Sequence, residues 1–157
     1  MSATKPLVKG FFDQRTFSIQ YVVADTETRK CAIIDPVLDF DEKSGAIATQ
    51  NADAIVEVQK LWKDIYNWPD FPPDGSQWDK LFAEGETFLV GNVPARVLFS
   101  PGHTLASITY VIGDAAFVHD TLFMPDSGTA RADFPGGSGS RLYRSIMEIL
   151  SLSDETR

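Results

Sequence analysis

Both histidines of this 157-residue chain fall in one stretch, PGHTLASITYVIGDAAFVHDTLF, from Pro101 to Phe123. His103 follows a Pro-Gly pair, and His119 and Asp120 close an apolar run. Imidazole nitrogen and carboxylate oxygen are the donors that suit Zn(II), Fe(II) or Mn(II). Two histidines and one carboxylate on a single face, with positions left open, let iron take up O₂ and a substrate together. Hairpin geometry says which of these residues meet. If Gly113-Asp114 is a two-residue turn, Ile112 pairs with Ala115 and Ser107 lies opposite Asp120. His103 enters the same strand four residues before Ser107, so His103 and Asp120 emerge at one open end. Side chains alternate across a strand, which turns His119 away from the site and into a supporting or structural role. A histidine and an aspartate at a hairpin end are also ordinary polar rim residues, and the pair alone does not make a site.

The elements around this stretch are legible. FSIQYVVA (17–24) and CAII (31–34) are apolar and β-branched and flank the polar DTETRK, the pattern of a hairpin. Cys31 sits in that apolar run and reads as a buried structural thiol. DPVLDFDEKSG then leaves the sheet as an acidic loop. From Ala52 to Tyr66, Ile55, Val58, Leu61, Trp62 and Ile65 keep helical spacing, with Asn51 as N-cap and Pro69, Pro72 and Pro73 as the stop. ETFLVG, ARVLFS, SITYVI and AAFV form a second batch of strands, with tight turns at Gly91-Asn92 and Gly113-Asp114. A Gly-rich loop follows Phe123, with GGSGS at its end read as flexible. An amphipathic helix from about Arg141 to Leu150 then presents Leu142, Ile146, Ile149 and Leu150 on one face. Strands in two batches interleaved with helices predict a sheet-on-sheet core flanked by helices, in one domain.

Composition narrows the function classes. An apolar fraction of 43% and a charged fraction of 23% are those of a folded globular chain. The formal charge of −8, with no basic cluster, argues against nucleic acid as a partner. No apolar run has the length of a membrane span, and MSATKPLVKGFFDQ lacks the apolar core of a secretory signal. These features predict a cytoplasmic or organelle-matrix protein. A lone cysteine forms no internal disulfide, and no G-x-S-x-G points to a serine nucleophile.

SPGHTLAS followed by HDTLF resembles the third and fourth motifs of the metallo-β-lactamase superfamily. FDQRTFSIQYVV, CAIIDPVLDFD, VQKLWKDIYN, DGSQWDKLF and DTLFMPDSGTARADFPGG extend the resemblance along most of the chain. They are similar to the persulfide dioxygenase and Blh-like branch, whose close relatives are thioester hydrolases of the glyoxalase II type. The resemblance implies an α/β fold, the αββα sandwich, and a mononuclear iron held by two histidines and an aspartate. That iron oxidises glutathione persulfide with O₂ to sulfite and glutathione. Carried over, His103 and Asp120 match two of the three ligands. Arg131 and Asp133, in TARADF, match a segment lining the site, with Arg131 a candidate for contact with substrate carboxylate or thiol oxyanion. A salt bridge that stabilises the loop is the alternative for this pair.

The superfamily's H-x-H-x-D-H motif is absent. In this register it belongs between ADAI and VQKLW, so a strand-helix unit near residues 51–58 is missing, and so is the family's C-terminal histidine, expected shortly after ETR. The expected domain is therefore 1–157, internally deleted, truncated, and short of ligands. Three functions stay open: an Fe(II)-dependent persulfide dioxygenase impaired by its incomplete site, a Zn(II)-dependent thioester hydrolase, and a non-catalytic remnant that binds a partner. No residue is assigned as catalytic with certainty. Loss of a central strand also predicts an unpaired sheet edge and self-association.

Overall fold

The computed structural model describes residues 5–12, 18–35 and 80–157, and the expected helix from 52 to 66 and the acidic loop after Asp35 lie outside them. Three strands, β1 (Leu7–Phe12), β2 (Ile19–Asp25) and β3 (Lys30–Ile34), form one antiparallel sheet with β2 in the middle. β4 (Thr87–Val90), β5 (Val93–Phe99), β6 (Ile108–Ile112) and β7 (Ala115–Phe117) form a second antiparallel sheet in sequence order. A helix, α1 (Gly139–Leu150), follows. No helix among the described residues is long and apolar enough to cross a membrane.

Alternation builds the first sheet. Val8 pairs with Val23 and Val23 with Ala32, and in the next row Gly10 pairs with Tyr21 and Tyr21 with Ile34. These rows share the inner face and pack on the core. Gly10 leaves room for the tyrosine across it, since a Cβ there would sit 3.3 Å from Tyr21 Cε1. Leu7, Phe11 and Ile33 belong to the outer face and are exposed. Cys31 shares that outer face and is exposed, which corrects the expectation of a buried thiol. Its neighbours Ala32 and Ile34 take the inward positions, so the period of two turns the sulfur outward.

In the second sheet the two tight turns fall where the glycines predict. Val90 pairs with Val93 around Gly91-Asn92, and Ile112 with Ala115 around Gly113-Asp114. Gly91 and Gly113 adopt φ of 64° and 60°, the region glycine enters without a Cβ penalty. Along β5, Val93, Ala95 and Val97 are buried while Pro94 and Arg96 are exposed. They join Val23, Val90, Tyr110 and Ile112 in one core shared by the two sheets, and the Tyr21 and Phe117 rings meet across it edge to face at 5.2 Å. Each fully buried valine contributes about 1.5–3 kcal/mol of transfer free energy. At the edge of this sheet, Ala116 N–H donates to the Arg157 carbonyl and Arg157 N–H to the Asp114 carbonyl, both at 2.8 Å. The Arg157 guanidinium grips the Asp114 carboxylate as well, which holds that carboxyl below its ordinary value.

α1 buries Leu142, Ser145 and Ile149. Leu150, expected on the same face, is 61% exposed; the helix ends there, where Ser151 N–H donates to the Glu148 carbonyl and Leu152 N–H to the Ile149 carbonyl, both at 3.1 Å. GGSGS is not a loose linker. Its Ser138 is the N-cap of α1, with its hydroxyl accepting from Arg141 N–H at 3.4 Å.

One carboxylate joins the two sheets. Asp25, 1% exposed at the end of β2, accepts from Glu27 N–H at 2.9 Å, from the Thr28 hydroxyl at 2.7 Å and from Asn92 N–H at 2.7 Å. The last bond crosses from the β2–β3 turn to the β4–β5 turn. A Cβ at Gly91 would collide with Thr28 Oγ1 and the Asp25 carboxylate, so glycine is required there twice over. The Thr28 hydroxyl bond first, and the Asn92 N–H bond next, hold the Asp25 carboxyl down at about 2 against the opposing push of burial. A depressed carboxyl stabilises the fold fully above its ordinary value of 3.8 and loses that contribution as pH falls through about 2. Asp25→Asn replaces an accepting oxygen with a donor. Thermal melts followed by circular dichroism are expected to show the variant melting lower than wild type at pH 7. That gap is expected to narrow between about pH 4 and pH 2.

Candidate metal centre

Two loops make the candidate site, and each is closed by its own backbone. The first joins β5 to β6, and Ser100 N–H donates to the Ser107 carbonyl at 2.8 Å to close it. Within it the Thr104 and Ser107 hydroxyls bond to each other at 3.1 Å, and Ala106 N–H donates to Thr104 Oγ1 at 3.2 Å. The loop is then clamped to α1. Gly102 O accepts from Ser138 N–H at 2.8 Å, and the Ser145 hydroxyl donates to the Pro101 carbonyl at 2.8 Å. Gly102 has φ 147°, and a Cβ there would strike the backbone of Leu142. The glycine before His103 is thus the point where a helix can approach the loop closely enough to fix it.

The second loop follows β7. The ladder between β6 and β7 ends at Tyr110 and Phe117, three residues before Asp120. His119 takes φ 51°, and its carbonyl accepts Thr121 N–H at 2.8 Å. Alternation therefore does not extend to His119 and Asp120, and the pairing of Ser107 with Asp120 is not part of the ladder. The inference that His119 faces away loses its premise, since a positive φ re-aims the chain. The His119 side chain is exposed and makes no hydrogen bond among the described residues. Beyond Asp120 the chain doubles back through a bridge between Leu122 and Thr129 and a bond from Phe123 N–H to Gly128 O. Ala130 returns opposite Thr121, which delivers Arg131 to His103.

His103 and Asp120 do meet. His103 Nε2 lies 3.8 Å from Asp120 Oδ2, with the imidazole 13% exposed and the carboxylate 59% exposed. On the other side of the ring, Nδ1 is 2.8 Å from the Arg131 carbonyl. A carbonyl only accepts, so Nδ1 carries the proton, and in the neutral ring Nε2 holds its lone pair toward Asp120. This is the tautomer a metal-ligating histidine needs, with a backbone carbonyl fixing the ring behind it. Phe134 holds the ring from the side, with centroids 4.9 Å apart and planes at 70°. Two donors on a tetrahedral ion, each about 2.0–2.1 Å from it, sit about 3.4 Å apart, so the observed gap is slightly wide for shared ligation. The donors fit a metal in kind. They fall short in number: no group of three His, Cys, Asp or Glu suited to a metal occurs among the described residues.

Arg131 and Asp133 bind each other. The Arg131 Nε–Asp133 Oδ1 distance is 2.5 Å and the Nη2–Oδ2 distance 3.0 Å, a two-pronged pair, and the guanidinium lies 4.7 Å over the Phe134 ring. The Arg131 bond holds the Asp133 carboxyl below its ordinary value, and Asp133 raises Arg131 in turn. Both side chains are about two-thirds exposed, at 65% and 68%, so water screens most of this attraction. What sequence reasoning missed is the Arg131 carbonyl and the Phe134 ring. Nothing in TARADF signals that its backbone, as well as its guanidinium, faces the site. A groove of about 260 Å³ lies between the end of β5 and α1, lined by Phe99, Pro101, Arg141, Arg144, Ser145 and Glu148. It includes neither His103 nor Asp120.

No family model matches the chain. Curated proteins do. The chain is 56% identical to a beta-lactamase hydrolase-like protein of Xylella fastidiosa over 196 positions, covering 97% of the chain and 46% of that relative. It thus spans about half of that relative's length. It is 34% identical to Glyoxylase B2 of Dictyostelium discoideum, covering 99% of the chain and 69% of the relative. Among solved structures, ETHE1 from Myxococcus xanthus superposes with a TM-score of 0.67 at 28% identity, covering 96% of the chain and 72% of that structure. A metallo-beta-lactamase from Staphylococcus aureus shares the fold, with a TM-score of 0.65 at 20% identity, covering 98% of the chain and 54% of that structure. The match to the Xylella protein runs over 196 positions, more than the 157 residues of the chain. The relative therefore carries residues with no counterpart here.

The close approach at Gly102 gives a direct test of how the His103 loop is held. Gly102→Ala must push α1 away or distort the loop, and is expected to cost about 2 kcal/mol or more in urea unfolding. A control substitution at half-buried Gly128, which has open space around its Cβ position but also a positive φ, is expected to cost less.

Proposed function

Because the chain belongs to the metallo-β-lactamase superfamily, we propose that it is a persulfide dioxygenase-type protein of that superfamily whose metal site is incomplete as the chain stands. The observation that carries this reading is the His103 ring, tied at Nδ1 and bare at Nε2 toward Asp120. The likeness to ETHE1, named a persulfide dioxygenase in the mouse protein that is 26% identical to this chain, supports the dioxygenase branch. The domain in this reading is 1–157, lacking a strand-helix unit near residues 51–58; the extra length of the Xylella match supports an internal gap, and its place is part of the proposal.

His103 and Asp120 are the residues that would hold the metal, Fe(II) in this reading and Zn(II) in the alternative. A redox-active metal supplies the electron transfer that oxidation of a persulfide by O₂ requires. With two donors the site is short of a working set, and no reaction step is derived through it. What the chain itself contributes is orientation. The Arg131 carbonyl fixes the proton on Nδ1, Phe134 sets the plane of the imidazole, and α1 holds the loop from behind through Gly102. The Arg131 guanidinium stands beside the site with Asp133 steering it, and this pair is proposed to meet the charged end of a glutathione-type thiol or persulfide.

A thioester hydrolase is the second reading, favoured by the higher identity to Glyoxylase B2. The two separate on one preparation in which the missing segment has been restored, iron supplied under argon, and the assay then run in air-saturated buffer. Oxygen uptake on addition of glutathione persulfide supports the dioxygenase. Thioester cleavage without oxygen uptake replaces it with the hydrolase.

For the chain as it stands, metal is expected to be held weakly, since one imidazole and one carboxylate leave most positions to water. Metal retained after dialysis, read by elemental mass spectrometry, is expected to be well below one per chain. His103→Ala and Asp120→Ala are each expected to abolish the residue of binding, while His119→Ala, at an exposed side chain without a hydrogen bond among the described residues, leaves most of it. Equal loss from His119→Ala and Asp120→Ala would overturn the assignment of Asp120 as the ligand.

A further inference from the structure

Glycine supplies most of the positive φ among the described residues, at the hairpin turns of Gly91 and Gly113 and at Gly85, Gly128 and Gly136. Three other described residues enter the left-handed region: Arg29, Asp35 and His119. Arg29 closes the β2–β3 turn, its N–H donating to the Asp25 carbonyl at 2.9 Å. Asp35 stands directly after β3. His119, at φ 51°, lies two residues past the end of β7, outside both tight turns of its sheet, and directly precedes Asp120.

Residue 119 would have other surroundings if β7 ran on. Ala115 is 4% exposed and Phe117 meets Tyr21 across the core, so both face inward. Alternation in a longer strand would send residue 119 to that same face. The left-handed residue breaks the alternation: the His119 side chain is exposed, and the Asp120 carboxylate comes to 3.8 Å from His103 Nε2. Beyond the bend Thr121 is fully buried, with its N–H donating to the His119 carbonyl at 2.8 Å and its carbonyl accepting from Ala130 N–H at 3.4 Å. Asp120 therefore sits between a backbone bend and an anchored neighbour. A side chain with a Cβ is costly in this region, and such a cost persists where the surrounding structure enforces it. Histidine, with asparagine and aspartate, enters the region more readily than most residues, and β-branched residues enter it least. The His119 imidazole makes no hydrogen bond among the described residues, so the backbone is what this residue gives the site.

We propose that His119 is the positioning residue for Asp120: its left-handed backbone, and not its imidazole, turns the chain out of β7 and sets the Asp120 carboxylate on His103. The placement itself needs no metal. That it serves a metal centre rests on the reading of His103 and Asp120 as ligands.

The test compares His119→Gly, His119→Asn and His119→Val with wild type in the chain as it stands, in chelator. The chain has two histidines, so each variant leaves His103 as the sole one and its ring protons stand alone in the spectrum. Nuclear Overhauser contacts between the His103 ring and the Asp120 β protons read the placement. Contacts between the Tyr21 and Phe117 rings, whose centroids are 5.2 Å apart, read the core. Glycine and asparagine are expected to keep the His103–Asp120 contact at wild-type strength. Valine is expected to lose it while the Tyr21–Phe117 contact remains. In thermal melts His119→Gly is expected to melt no lower than wild type, because the Cβ penalty it removes offsets the extra freedom of its unfolded chain. His119→Val is expected to melt about 2–4 °C lower. Loss of the His103–Asp120 contact in His119→Gly overturns the proposal, because the imidazole is then what holds Asp120. Retention of the contact in His119→Val overturns it as well. Should valine unfold the chain, His119→Gly decides: the contact kept with no lower melt supports the proposal, and loss of either overturns it. Zn(II) is then titrated after the chelator is removed, and the part abolished by Asp120→Ala is counted as site binding. His119→Gly is expected to bind within about twofold of wild type and His119→Val about tenfold more weakly or worse. Contacts in the expected order without site binding in any protein sink the functional reading and leave the placement standing. Contacts that ignore residue 119, with binding that depends on Asp120, do the reverse.

Discussion

The hydrogen bond between His103 Nδ1 and the Arg131 carbonyl ties together the parts of the molecule that make the candidate site. It joins the loop between β5 and β6 to the loop after β7, across 28 residues of sequence, at 2.8 Å. Each loop reaches that bond by separate means. Gly102 lets α1 press against the first, and the bridge between Leu122 and Thr129 folds the second back so that Arg131 arrives. The bond decides chemistry as well as shape. It places the proton on one ring nitrogen and leaves the other as a donor toward Asp120. Without it the imidazole could rotate or hold the wrong tautomer, and the carboxylate 3.8 Å away would have no oriented counterpart.

This site stands on a core that two sheets build together. Valines from β2 and β5 meet between them, and the Asp25 carboxylate links the turn of one sheet to the turn of the other. These contacts lie at Asn92 and the hairpin ends, away from His103. Among the described residues, the interactions that join the two sheets do not pass through the candidate site. The architecture is an incomplete metallo-β-lactamase sandwich.

Much of this was legible from residue patterns. The period of two in FSIQYVVA and ARVLFS, and the glycines at 91 and 113, located strands and turns, because burial of alternate side chains and positive φ are local demands. β1 was not legible: LVKGFF carries a lysine and a glycine inside its apolar run, and only the register shows that Gly10 makes space for Tyr21. Cys31 misled for the reason that makes short apolar runs ambiguous, since an unbroken run does not say which of its residues point inward. At the site, the residue types were legible and the directions were not. His103 and Asp120 meet as their positions in the hairpin suggest, yet the argument that set His119 aside assumed a strand that ends at Phe117. The Arg131 carbonyl was invisible because a backbone group has no signature in sequence.

The central claim is that His103 and Asp120 are two members of a ligand set whose remaining members this chain lacks. Its most direct measurement is metal stoichiometry by elemental mass spectrometry after exhaustive dialysis, on the chain carrying the Xylella relative's extra segment. The account predicts close to one tightly held metal per chain, lost when His103 or Asp120 is replaced by alanine. Stoichiometric metal that survives both replacements, or no retained metal in a well-folded grafted chain, would contradict it.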